Sequence, residues 1–318
     1  MPKIIKLRED EKESVNKKES FSNKSIKDKP IFVKKIENKK EKPQKKKKKR
    51  ILLKIILLLI IIIPILLFGI MYLLAPERYN ILIVGCDRRG EERARSDVMM
   101  VFSIPKDSSK PTSLITIPRD SRVNVEDHGL DKLTHAYIYG DLTDKSSIGN
   151  IELTQETIEN LLDIKINGTV EFTFESFKDV VDMVGGVWTD DGYYDGEKAL
   201  AQVRDRYRDG GDFARTDDQR KVFRAVMTQM KNKDTAQEVY NYLKESDKAE
   251  INIDFARAGM FGTTTFVRRF GRLSLGEIKT DFIPGQGQTI YAENFGKNLY
   301  FWVIDEKEKE KLVEEYLK

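Results

Sequence analysis

The chain has a single cysteine, Cys86, so no disulfide can form within it, and it is not a small disulfide-stapled scaffold. A cytoplasmic protein fits that count, and so does an exported protein that relies on the size of its core. Only two histidines occur, His128 and His135. Neither stands in a Cys/His or paired-His spacing, which argues against zinc. Positive charge is scarce over most of the length. Residues 1–50 carry 18 Lys and 2 Arg against 8 acids, a net charge of +12, and residues 51–75 add one lysine. The whole chain is only +4, which leaves −9 for residues 76–318. That large acidic portion argues against a nucleic-acid-binding surface, so its arginines matter through local clustering.

What is present begins with a tail. Residues 1–50 are rich in Lys, Glu, Ser and Asn and poor in aromatics, the composition of a disordered segment. They end in six consecutive basic residues, 45–50, directly before the apolar stretch 51–75. After Lys54 that stretch runs for 21 residues without a charge, and a membrane span needs about 20. Lys54 can snorkel to the interface, and Pro64 is tolerated within a bilayer helix. The stretch is too long for a cleaved signal peptide and no small-x-small site follows. It reads as one uncleaved transmembrane helix. The basic flank places the N-terminus in the cytoplasm and residues 76–318 outside the cell membrane.

Beyond the span the pattern turns to strands. Residues 79–86, 98–104 and 113–118 are apolar throughout rather than alternating, which predicts strands covered on both faces. Residues 169–174 alternate, with Val170, Phe172 and Phe174 inward, and predict a half-buried strand. Helices are expected over 148–163, 175–184, 195–203, 218–231 and 235–244, in part of 252–270, and over 306–318. Gly185 and Gly186 stop the second of these, and closing strands are expected over 281–290 and 298–304. The alternation predicts an α/β fold, a three-layer-like sandwich with a central mixed β-sheet flanked by helices. No internal repeat or linker interrupts residues 76–318, so they read as one domain.

Residues 199–220, ALAQVRDRYRDGGDFARTDDQR, concentrate the chain's unusual chemistry. Arg204, Arg206, Arg208, Arg215 and Arg220 alternate with Asp205, Asp209, Asp212, Asp217 and Asp218, and Gly210 and Gly211 break the run. From 204 to 220 only Tyr207, Phe213 and Ala214 are apolar, too few for a helix stripe. Guanidinium groups are planar, always charged and suited to a bidentate grip on phosphate. The run reads as an anion site; the competing account is a solvated loop whose Arg and Asp pair with one another. Four further polar segments flank the predicted strands: GCDRRG (85–90), RSD (95–97), IPRD (117–120) and DKLTHAY (131–137). Residues just beyond strand ends commonly line a ligand crevice. Asp87, Asp97 and nearby arginines make a set suited to a magnesium–diphosphate group, because Mg²⁺ takes one or two carboxylates plus phosphate oxygens and water.

The ordered set GCDRRG, ARSDVMMV, LITIPRD, DKLTHAY, FKDVVDMVGGV, DGEKALAQVRDR and GDFARTDDQR, over about residues 80–230, resembles the LytR-CpsA-Psr family of bacterial envelope proteins. The resemblance implies an α/β sandwich with an apolar pocket for a polyprenyl chain. It implies transfer of an anionic glycopolymer, of wall teichoic acid or capsular polysaccharide type, from an undecaprenyl-pyrophosphate carrier to peptidoglycan, with Mg²⁺. Asp87 and Asp97 match the metal acids. Arg89, Arg119, Arg204, Arg206, Arg215 and Gln219 match the pyrophosphate-binding set, with Asp97, Arg119, Arg204 and Arg206 at the chemistry. Asp218 departs from the pattern, since the family usually has Arg before that Gln, and Arg220 follows the Gln instead. Thr134 stands where Asn is common, and Asp141 follows Gly140 where a second Gly is usual.

The first functional expectation is therefore a membrane-anchored phosphotransferase. A second is a membrane-bound transcriptional attenuator that senses lipid-linked intermediates. A third is a polyprenyl-pyrophosphate hydrolase using the same site with water. Among the other polar residues, Asp97 can instead pair locally with Arg95, Asp120 is expected to hold the IPRD turn, and His128 and His135 to be surface or hydrogen-bonded residues. Cys86 is expected to be a small buried apolar residue.

Overall fold

The unbroken apolar runs become the central strands of the molecule. The computed structural model describes residues 45–87, 95–139, 151–205, 211–268 and 276–318. The chain divides into two units, 1–56 and 57–318. Of the first, residues 45–56 are described and form the opening of helix α1 (Lys45–Leu74). Within Lys47–Leu74 an 18-residue window reaches a mean hydropathy of 3.3, and the helix is long and apolar enough to cross a membrane. The helix starts before residue 51 because the Lys and Arg of the basic run are good helix formers.

The second unit is built on a six-stranded mixed sheet in the order β10-β3-β2-β1-β6-β9. Strand β1 (Arg78–Cys86) pairs antiparallel with β2 (Ser96–Pro105) and parallel with β6 (Gly168–Thr173). Strand β2 pairs antiparallel with β3 (Thr112–Thr116), which pairs parallel with β10 (Ile278–Phe282). Strand β9 (Ala249–Ile253) closes the other edge against β6. Successive side chains of β1 enter two different cores. Leu82, Val84 and Cys86 join Met99, Val101 and Ile115 beneath α2 (Leu133–Tyr139), α3 (Ile151–Leu162) and α9 (Glu306–Tyr316). Ile81 and Ile83 join Met100, Phe102 and Phe172 beneath α4 (Phe174–Met183), α5 (Gly196–Arg204) and α6 (Gly211–Gln229). Each fully buried side chain of this size contributes about 1.5–3 kcal/mol, so burial on both faces explains why the runs do not alternate.

Three expectations need correction. The strand over 169–174 is not half-buried. It lies between β1 and β9, and its polar positions face the first core: Glu171 is only 2% exposed, accepting hydrogen bonds from the Tyr137 hydroxyl at 2.7 Å and the Cys86 thiol at 3.8 Å. Phe174 opens α4 instead, behind Thr173, which forms a capping box with Ser176. The strand expected over 281–290 is two strands. Pro284 cannot donate to a ladder, so β10 ends at Phe282 and β11 (Gly285–Ala292) forms a hairpin with β12 (Lys297–Ile304). Finally, α6 begins at Gly211 rather than 218, taking in the second half of the arginine run. Short hairpins also appear that periodicity does not show: β4 (Arg122–Val125) with β5 (Gly129–Lys132), and β7 (Val187–Thr189) with β8 (Gly192–Tyr194). Helix α7 (Lys233–Glu245) and helix α8 (Phe255–Arg268) flank β9.

The start of β1 ties the last helix to the sheet. Buried Arg78 donates to the carbonyls of Lys318 and Glu315, both at 3.0 Å, and to the Ser103 hydroxyl at 3.3 Å. It thereby satisfies carbonyls that the end of α9 leaves without intrahelical partners. Arg78→Met should lower stability by on the order of 3 kcal/mol, several charge-assisted bonds being lost. A lower urea midpoint with an unchanged slope is the expected result; an unchanged midpoint would mean that water replaces the guanidinium at no cost.

Candidate functional site

A β-bulge sets the site. Cys86 pairs with Ser96 and Gly85 with Val98, so Asp97 is the extra residue of β2. A bulge re-aims side chains, and here Asp97 and Val98, consecutive in sequence, line the same cavity. Asp87 reaches that cavity from the end of β1, its N–H donating to the Arg95 carbonyl at 3.1 Å. Gly85 lies in close quarters beneath them: a Cβ there would stand 3.0 Å from Cζ of Phe172 and 3.1 Å from Cβ of Val98, so those side chains would have to give way.

The opposite wall comes from two helices. Asp195 caps α5, accepting from the Lys198 N–H at 2.9 Å, and α5 ends in Arg204, whose guanidinium carbon is 4.8 Å from the centre of the Phe174 ring. Helix α6 supplies Arg215, which is 4% exposed, and Gln219. The two helices are locked together by polar bonds. Gln202 donates to Asp218 at 2.8 Å and Gln219 donates to the Val203 carbonyl at 3.2 Å. The cavity so enclosed is about 270 Å³. Its apolar floor is Phe172, Phe177 and Phe223, with ring centroids 5.4–5.9 Å apart. The same three rings line a second cavity of about 250 Å³, walled mostly by aliphatic side chains such as Ile83, Val226, Met230 and Ile251. A charged chamber thus adjoins an apolar one.

The structure brings Asp87, Asp97, Arg204, Arg215 and Gln219 to one cavity. Arg119 meets it through Asp97, with which its Nη1 pairs. This partner is Arg119, not the sequence neighbour Arg95. Arg119 Nε also lies 3.5 Å from Asp120, and Asp120 is held by Lys132 at 2.6 Å, as its expected turn role requires. Arg89 and Arg206 lie outside the described residues, as do Arg208 and Asp141. The departures have local explanations. Asp218 joins α5 to α6 through Gln202. Arg220 does not replace a cavity arginine: it pairs with Asp217 at 3.0 Å and lies over Phe282 at 5.2 Å. Against the desolvation that raises it, Lys221 and Arg220 hold the Asp217 carboxyl below its usual range. Thr134 donates to the Ser96 carbonyl at 2.8 Å, steadying β2 beside the bulge. His135 bonds Asp131 at 2.9 Å and His128 stacks on Tyr139 at 4.1 Å. Beneath the site, burial and then the neighbouring Cys86 and Glu171 push the Tyr137 phenol up.

Among the described residues no cluster of three metal-ligating side chains exists. Two carboxylates on a cavity that also carries arginines match instead the way Mg²⁺ binds with phosphate, through one or two carboxylates and substrate oxygens. The floor is what sequence reasoning missed. The spacing of Phe172, Phe174 and Phe177 reads as ordinary core, and only the fold shows that Phe223 completes it.

Two matching segments, 31–191 and 192–318, cover most of the chain in a comparison with protein-family models. The chain belongs to the LytR_cpsA_psr family. A relative in Bacillus anthracis, polyisoprenyl-teichoic acid–peptidoglycan teichoic acid transferase TagU, is 37% identical over 169 residues, 48% of this chain and 52% of its own length. The chain therefore spans about half of that relative. A second protein of the same name, from Halalkalibacterium halodurans, is 30% identical over 257 residues, 74% of this chain and 76% of the relative. Among solved structures, TagT bound to LIIa-WTA matches with a TM-score of 0.56 and 26% identity, covering 75% of this chain and 89% of TagT. The family expectation of a central mixed sheet between helices is met.

Proposed function

We propose that this chain is a membrane-anchored phosphotransferase that moves an anionic glycopolymer, of the wall teichoic acid or capsular type, from undecaprenyl pyrophosphate to peptidoglycan. The observation that carries the reading is the shared floor of Phe172, Phe177 and Phe223 between a chamber bearing Arg204, Arg215, Asp87 and Asp97 and an apolar chamber. Such a pair suits an amphiphile with an anionic head and a hydrocarbon tail. The names of the relatives and the TagT complex support the same substrate class.

In this reading residues 1–50 are a cytoplasmic tail, 51–75 the transmembrane helix and 76–318 the extracellular catalytic domain. Arg204, Arg215 and Gln219, with Arg89 and Arg206, grip the diphosphate, and Arg119 holds Asp97 in place. An acceptor hydroxyl on peptidoglycan forms a bond to the sugar-proximal phosphorus. The bridging P–O bond breaks and polyprenyl phosphate leaves with the bond pair. The hydroxyl proton passes to Asp97 or to solvent. Asp87 and Asp97 would hold Mg²⁺ together with phosphate oxygens, and the ion when bound supplies positive charge for the leaving phosphate. Catalysis is then mostly positioning and charge neutralisation.

Binding by the full chain tests the two-chamber reading. Met227 lines the apolar cavity, and Met227→Trp reduces its space. Affinity for a long polyprenyl diphosphate should fall by at least about tenfold, equivalent to fewer than two buried methylenes at ~0.8 kcal/mol each. Affinity for a short, water-soluble diphosphate should be unchanged. Equal loss for both ligands, or none for either, would count against a tail in this cavity.

A further inference from the structure

The end of the sheet opposite the charged cavity carries its own chemistry. Tyr79, in β1, and Asp87, just past its end, lie eight residues apart, roughly 26 Å at about 3.3 Å per residue. At the Tyr79 end, buried Lys106 takes hold of the close of α1. Its Nζ donates to the carbonyls of Tyr72 at 3.1 Å and Ala75 at 3.2 Å and to Glu77 at 2.8 Å, and it sits 4.4 Å from the Tyr72 ring centre. A cation on the last carbonyls of a helix satisfies groups that the helix leaves open. The join between α1 and the sheet is therefore a fixed one, not a free tether.

Helix α8 starts at the same level. Ile81 pairs with Gly168 and Gly168 with Ile253, so Ile81 and Ile253 lie in line across three strands. The Tyr79 hydroxyl donates to the Asp254 carbonyl at 3.3 Å, and the Tyr79 and Phe261 rings are 5.5 Å apart. At the first position of α8 Phe255 is 65% exposed, with the Tyr240 ring edge-on at 6.3 Å. Tyr240, Ile81 and Ile253 bring the apolar cavity to this end.

The surface of α8 is unusual for one facing water. From residue 258 to 267 it has no charged side chain. On that surface Thr263 donates to the Gly259 carbonyl at 2.8 Å, while Thr264 and Thr265, buried on the inner side, donate to the Phe261 carbonyl at 2.9 and 2.8 Å. Thr263 is exposed and bonds inward all the same. Back-bonding of this kind satisfies a hydroxyl without water, which hydrocarbon surroundings require.

We propose that Phe255 and the uncharged face of α8 rest in the headgroup region of the bilayer that holds α1. The apolar cavity would then receive its lipid tail from the bilayer side, while the charged cavity stands above the membrane. Aromatic rings favour that interface, and an interfacial helix sinks its apolar face into it. The inference rests on the membrane-anchor reading of α1.

The test uses the full chain reconstituted in phosphatidylglycerol–phosphatidylethanolamine vesicles containing lipid spin-labelled near the top of the acyl chain. Because Cys86 is buried, a single introduced cysteine can carry a fluorescent label. Three variants are compared: Leu73→Cys in the anchor, Phe255→Cys, and Lys307→Cys on the first turn of α9. The inference expects loss of emission at 255 comparable to that at 73, and little at 307. Quenching at 73 without quenching at 255 overturns it and leaves the anchor standing. Shielding of 255 from aqueous iodide without lipid quenching also overturns it, since a protein partner then covers the face. No quenching at 73 removes the anchor reading itself and the inference with it.

Discussion

Arg215→Ala should cut transfer by about 10²–10³-fold, the size of effect found when one preorganised charge-stabilising donor is removed. Arg215 is buried and lines the charged cavity along with Gln219 and the phenylalanine floor, so water replaces its guanidinium poorly. Losing a hydrogen bond to a charged group costs about 1.5–3 kcal/mol, which should appear as weaker diphosphate binding. Arg224→Ala is the control. It lies on the same helix, is exposed and does not line the cavity. Steady-state transfer and equilibrium binding measured on both variants separate the cases. Equal behaviour of the two would mean that the arginine run is a solvated charged segment.

Asp97→Asn should have a comparable effect by another route. The substitution keeps the size of the side chain and removes its charge, so Arg119 loses the carboxylate it pairs with, and under the proposed function one of the two carboxylates that would hold Mg²⁺ is gone. Transfer is expected to fall by about 10²-fold or more. The dependence of the rate on added Mg²⁺ should flatten, while binding of the lipid tail persists because the apolar cavity is untouched. A variant with the wild-type Mg²⁺ dependence would reduce Asp97 to a structural partner of Arg119.

Much of the scaffold was legible because hydrophobicity is local information. The apolar runs of β1, β2 and β3 announced strands buried on both faces, and the 21 uncharged residues after Lys54 announced α1. What was not legible depended on neighbours distant in sequence. The alternation in β6 marked two buried faces, because Glu171 finds Tyr137 across the core. The opening of α6 escaped because residues 211–217 carry no apolar stripe, only Phe213 and Ala214 being apolar there. The motif singled out Asp97, but its direction onto the cavity comes from a bulge that only pairing reveals. The aromatic floor combines a strand, α4 and α6, so no single stretch displays it.

The proposed reaction is a transfer. The most direct measurement incubates the full chain with Mg²⁺, peptidoglycan and polyprenyl-diphosphate-linked glycopolymers of both the teichoic acid and the capsular type, following polymer attachment and polyprenyl phosphate together. The expected result is polymer joined covalently to peptidoglycan and one polyprenyl phosphate released for each polymer attached. Phosphate-bearing lipid released without acceptor would make the protein a hydrolase, and no turnover with either donor would make the cavity a sensor; either result contradicts it.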